Sequence, residues 1–172
     1  MTQDKQIQMT LDLFGHPAAS GKVQTVPMYR LKLIRENDLS YEHQLCCSSP
    51  ETVAQLMRPY FSECPQEQVV VIFLSTALRV IGFHVASVGT LDASILTVRD
   101  VFCAAIVAQC AGIIVAHNHP SGNPEPSRED IRVTRQIAEA GEILGIKVFD
   151  HIIVTNGSYA SLSERGVIEA HT

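Results

Sequence analysis

The chain has 172 residues, 46% of them hydrophobic, enough for one compact domain with a buried core. Its formal net charge is −5 with only 13 Lys and Arg, so the basic excess of a strong phosphate-binding surface is missing and tight direct nucleic-acid binding is not expected. No apolar run approaches the roughly 20 residues of a membrane span, the start shows no basic-then-apolar leader, and five cysteines without a C-x-x-C pair read as buried thiols of a cytoplasmic protein rather than as disulfides.

In chain order, residues 1–26 are polar and read as a mobile tail, with the folded domain expected over 27–172. Met28–Ile34 alternates and predicts an edge strand. Ser49 and Pro50 predict a helix to about Phe61, with Ser49 as N-cap and Pro50 at the first helical position. Val69–Leu74 is a continuous β-branched run, hence a buried central strand. Arg79–Val88 predicts a second strand, bulged at Gly82 and joined to the first by a hairpin at Thr76–Leu78. Val98–Ala111 is almost wholly apolar and predicts a buried helix containing Phe102, Cys103, Ile106 and Cys110.

Ile113–Val115 predicts a further strand. Ser127–Leu144 predicts an amphipathic helix with Val133, Ile137, Ala140 and Leu144 on one face and Gly145 ending it. Val148–Thr155 predicts a strand, and Asn156-Gly157 a hairpin turn. The order is mixed α/β, a sheet covered by helices, with no repeats.

Chemistry concentrates in Ala116–Asp130, A-H-N-H-P-S-G-N-P-E-P-S-R-E-D. His117 and His119 are two residues apart after an apolar run, so on extended backbone their side chains point the same way. With Asp130 they supply two imidazoles and one carboxylate, which leaves a fourth position for water, the ligand count of a catalytic zinc site. Gly122 permits the tight turn after the histidines. Ser127 and Asp130 also read as the N-cap and N3 residues of a capping box, which would hold the carboxylate rigidly near the histidines. The contiguous letters H-N-H do not match the dispersed residues of an HNH nuclease, and the H-x-E and P-C-x-x-C of a zinc deaminase are absent.

His-x-His, seven residues, Ser, two residues, Asp is the spacing of the JAMM (JAB1/MPN+) metalloproteases, and His117, His119, Ser127 and Asp130 fit it. The wider string, together with E-A-G-E-I-L-G-I-K-V-F-D-H-I-I-V and S-L-S-E-R-G, resembles the RadC-like branch of that family over roughly Pro27 to Ile168. The resemblance implies a single α/β domain of the JAMM/MPN type, a mixed sheet flanked by helices with cytidine-deaminase-like layering. It implies Zn²⁺ on His117, His119 and Asp130, a glutamate general base at the start of a core strand, and oxyanion stabilisation by Ser127. Glu67 opens the first core strand and takes the base role; Glu63 competes, but stands in F-S-E-C-P and reads as loop.

The implied activity is hydrolysis of a peptide or isopeptide bond in a protein or peptide substrate, with a link to DNA repair. The alternative is a non-proteolytic repair or replication accessory module. Leu74-Ser75 and Thr97–Asp100 depart from the branch's usual residues, at positions that are not ligands. Asp150-His151 matches the branch and is a candidate support for the site or a plain core pair; His16, His43, His84 and His171 read as surface or structural.

The tail carries Gln8-Met9-Thr10-Leu11-Asp12-Leu13-Phe14. Gln8, Leu11, Leu13 and Phe14 resemble the Q-x-x-L-x-L-F peptide by which bacterial replication proteins dock on the DNA polymerase sliding clamp, and the clamp is an expected partner. A short segment that orders on binding and seats apolar anchors in a groove suits this position.

Overall fold

A computed structural model describes residues 27–36, 47, 49–89 and 96–168. The expected tail, with Gln8, Leu11, Leu13 and Phe14, lies outside the described residues. The chain divides into two units, Met1–Leu31 and Lys32–Thr172. In the first, the described residues 27–31 form no helix or strand. The expected strand at Met28–Ile34 does not form, and Met28, Tyr29, Leu31, Leu33 and Ile34 are exposed. Alternation makes a strand only where a neighbour accepts its backbone hydrogen bonds.

The second unit is a mixed α/β domain, as expected. Its elements are α1 (Pro50–Ser62), β1 (Gln68–Leu74), β2 (Val80–Val88), α2 (Val98–Ala108), β3 (Gly112–Asn118), α3 (Arg128–Leu144), β4 (Lys147–Val154) and β5 (Tyr159–Ser161). The sheet order is β2-β1-β3-β4-β5. Only the β3/β4 pair is parallel, as the α3 crossover between them requires. β1 from Val69 and β3 as far as Ala116 are apolar and buried because helices cover both faces. Val69, Val71, Phe73, Ile113 and Val115 pack with α2 and α3, whereas Val70, Ile72, Leu74, Ile114 and Ala116 pack with α1.

Local signals set the ends. Ser49 Oγ accepts the Thr52 N–H at 3.2 Å, and Pro50 opens α1. In the β1–β2 hairpin Ser75 N donates to Arg79 O at 2.9 Å. Two register shifts occur in this pair, one at Ile81, beside the expected Gly82, and one at Ala86. Ser127 caps α3 and Gly145, at φ 67°, ends it. The Asn156-Gly157 hairpin joins β4 to β5.

Three expectations need correction. α2 ends at Ala108, not Ala111, because Gln109 turns left-handed (φ 51°) and Ala111 N is drawn into a 2.9 Å hydrogen bond with Leu74 O. One face of α2 is open, so Cys103 and Ile106 are exposed while Phe102 and Cys110 are buried. On α3, Leu144 is exposed and Gly141 takes its place in the buried face. A Cβ at Gly141 would stand 2.6 Å from Ile146 O, so the approach of α3 to β4 leaves no room for a side chain there. No helix among the described residues is long and apolar enough to cross a membrane.

Candidate metal centre

The site forms where β3 ends. Val69, Ile113 and Val115 face α3, and the period-two alternation carries that face on to Glu67 and His117. His117 is the buried penultimate residue of β3, and His119 is the first residue beyond it. Gly122 at φ 80°, with its N–H on His119 O at 2.9 Å, reverses the chain so that it enters α3 and brings Asp130 back over the histidines.

The ligand atoms of Glu67, His117, His119 and Asp130 all lie within 4.8 Å of one another. All four residues expected in or beside the metal set from the sequence are thus together. The competitor Glu63 is the exposed C-cap of α1, and His84 is exposed on β2; neither belongs to the group. His117 Nε2 and His119 Nε2 are 2.9 Å apart, and the Asp130 carboxylate is 3.5 Å from the first and 3.7 Å from the second. Ligand atoms at tetrahedral corners about 2.0 Å from a common ion stand about 3.3 Å apart, in the middle of these values.

The donor chemistry agrees. His119 Nδ1 lies 2.7 Å from the Asn123 carbonyl, which can only accept, so Nδ1 carries the proton and a neutral ring presents a bare Nε2 to the site. Two imidazoles and a carboxylate fit a divalent ion of zinc type.

The electrostatics separate the roles. Burial, helped by neighbouring His151, holds His117 well below the ordinary histidine value. The Asp130 carboxylate, 3.7 Å away, raises His119 against burial. Burial pushes Asp130 up, but the neighbouring His119 and His117 rings and the Ser127 N–H outweigh it, and the carboxyl ends well below the usual carboxylate range. Burial raises Glu67; His119 opposes the shift and Asp130 adds to it. A small cavity of about 30 Å³ lined by Glu67, His117, Asp130 and His151 has room for a water.

Ser127 is exposed at the start of α3, three residues before Asp130. Its Oγ accepts the Asp130 N–H at 3.1 Å and its own N–H donates to Asp130 Oδ2 at 2.7 Å, the expected capping box. On the far side of the histidine loop a cleft of about 270 Å³, walled by Arg58, Phe61, Cys64, Asn118, His119 and Asn156, opens towards solvent.

Two contributors were not anticipated. Asn118, between the histidines, is buried; its Oδ1 accepts the Gln68 N–H at 2.7 Å and its Nδ2 donates to Gln66 O at 3.0 Å. It therefore clamps the backbone on both sides of Glu67. Thr134, buried on α3, touches both His151 Nδ1 and the Asp130 carbonyl oxygen. The only sequence signal for either was adjacency to the motif. His151 is buried against His117 at 2.8 Å. Asp150 instead caps the turn after β5, with Ser161 Oγ at 2.6 Å and Ser163 N at 2.9 Å.

Comparison with known proteins bears on the same segment. The RadC-like JAB domain family model matches residues 47–167. The chain is 44% identical to a UPF0758 protein of Salinibacter ruber over 134 residues, 78% of this chain and 58% of that protein. It is 47% identical to a UPF0758 protein of Roseiflexus castenholzii over 128 residues, 74% of this chain and 55% of that one. A UPF0758 protein of Methanosarcina mazei is 43% identical over 122 residues, 71% and 53% of the two chains. The chain thus spans about half the length of the curated relatives it matches.

Proposed function

The chain belongs to the RadC-like JAB domain family, and from that premise we propose that it is a zinc-dependent hydrolase cleaving a peptide or isopeptide bond in a protein or peptide substrate. The observation that carries this reading is the convergence of Glu67, His117, His119 and Asp130 within 4.8 Å. His117, His119 and Asp130 would hold the ion. When bound, Zn²⁺ supplies positive charge that polarises a carbonyl and brings the pKa of water to about 7.

Glu67 is the general base. Its half-buried carboxyl, raised above the ordinary value, is suited to take a proton from the attacking water and return it to the leaving amine. Asn118 fixes where that carboxyl stands. Ser127 donates to the developing oxyanion: its Oγ lone pair serves Asp130 N, which leaves the hydroxyl proton available. Donors of this kind are worth about 3–4 kcal/mol. The cleft beside His119 is the approach for the substrate chain. The described cysteines form no disulfide, which supports a reducing, cytoplasmic setting. A role in DNA metabolism through recruitment rather than direct DNA binding fits the net charge of −5.

Elemental analysis of full chain purified without chelator, combined with a peptide and isopeptide cleavage panel, tests the reading. One zinc per chain is expected, with His119→Ala losing it and Glu67→Gln keeping it while hydrolysis disappears. A wild-type protein with only trace metal, or equal turnover by wild type and Glu67→Gln, overturns it. An inert protein would leave the accessory-module role.

A further inference from the structure

A metal-binding histidine must offer a bare nitrogen, and an imidazole does so on the chosen side only if its other nitrogen is made to hold the proton. For His119 the Asn123 carbonyl does this. His117 is different, because its Nδ1 meets no carbonyl. It lies 2.8 Å from His151 Nε2, another imidazole nitrogen that can either give or take a proton. By itself that pair leaves the tautomer of His117 undecided.

The decision is made one residue further on. Thr134 Oγ1 lies 2.5 Å from the backbone carbonyl oxygen of Asp130 and 2.5 Å from His151 Nδ1. The hydroxyl has one proton, and the carbonyl can only accept, so the proton goes to Asp130 O. His151 Nδ1 must therefore donate to Thr134 Oγ1. The ring nitrogens of His151 meet a hydroxyl and an imidazole, no carboxylate among them, so the buried ring is neutral and its Nε2 is an acceptor. His117 Nδ1 then holds the proton, and His117 Nε2 faces His119 and Asp130 with a lone pair. The opposite order would leave two oxygen lone pairs facing each other at 2.5 Å and point an N–H from His117 into the metal position.

The backbone is arranged for this relay. β3 and β4 run parallel with Ile113 beside Val148, but the next pair is Ile114 beside Asp150. Phe149 is the extra residue of a bulge. The shift puts His151 beside Val115, on the face that carries His117 and α3. Without it Asp150 would occupy that place.

We propose that Thr134 and His151 are a buried positioning pair that fixes His117 in the tautomer able to bind a metal, with one hydroxyl linking His117, through His151, to the turn of α3 that carries Asp130. The metal readout of this inference rests on the zinc reading above; the tautomer readout does not. Long-range ¹H–¹⁵N spectra of the metal-free full chain should show His117 protonated at Nδ1 and bare at Nε2. Thr134→Val, which keeps the shape and loses the hydroxyl, should give a mixture of tautomers and weaken zinc binding by about 10- to 100-fold in a chelator competition. Thr134→Ser should restore both. An Nε2-protonated His117 in the wild type overturns the inference, as does a Thr134→Val protein with unchanged tautomer and zinc affinity. If the wild type takes up no zinc, the metal reading fails while the spectra still decide the tautomer.

Discussion

At the scale of the residue, the site depends on side chains outside the ligand set. Asn118 holds the peptide groups on both sides of Glu67. Asn118→Ala should leave zinc stoichiometry unchanged and lower turnover by about 100-fold, the cost of a reacting group displaced by about 1 Å; metal analysis beside steady-state rates separates the two effects. Proton competition belongs to His119, whose value is raised, whereas His117 stays neutral and Asp130 stays ionised. One proton must therefore leave His119 before the ion enters. Apparent zinc affinity should be flat above that raised value and fall about tenfold per pH unit below it, as competition titrations from pH 8 to 5 would show. The ligands were legible in the sequence because His117, His119, Ser127 and Asp130 lie within 14 positions of one another. Thr134 and Asn118 were not, and Asp150-His151 could be read as support for the site or as a plain core pair, because these contacts depend on how the strands and α3 come together, including a bulge that no local pattern encodes.

At the scale of the element, Ser127 has two duties that one substitution can separate. It is the N-cap of α3 and the proposed oxyanion donor. Glycine at an N-cap costs only a few tenths of a kcal/mol, and alanine about 1 kcal/mol. Ser127→Gly should therefore melt within a few degrees of wild type, by calorimetry, while hydrolysis falls about 100- to 1,000-fold. Helix starts and hairpins were readable because Ser49, Ser127, Gly145 and Asn156-Gly157 act on their own neighbours. The end of α2 was not, because the pull of Leu74 O on Ala111 N is a tertiary contact. Nor was the failure of Met28–Ile34 as a strand, since alternation describes a face and not its partner.

At the scale of the whole molecule, a net charge of −5 suits the proposed recruitment by protein contact better than direct DNA binding. We expect a labelled peptide of residues 6–16 to bind a bacterial sliding clamp with micromolar affinity, measured by fluorescence anisotropy, and to lose binding when Leu13 and Phe14 become alanine. No binding at high micromolar clamp would remove this partner.

The origin of the site's groups in the chain has a consequence for inheritance. The three proposed metal ligands, with Ser127 and Thr134, come from one continuous strand-loop-helix stretch, His117–Thr134, whereas the proposed proton carrier Glu67 stands immediately before β1. Capture of the ion and use of the ion are thus written in separate parts of the gene. On the proposed mechanism, a single codon change at position 67 would leave a folded, metal-loaded, silent protein. A lineage built on this plan could pass from cutting its partners to merely holding them in one mutational step, and return by the same step.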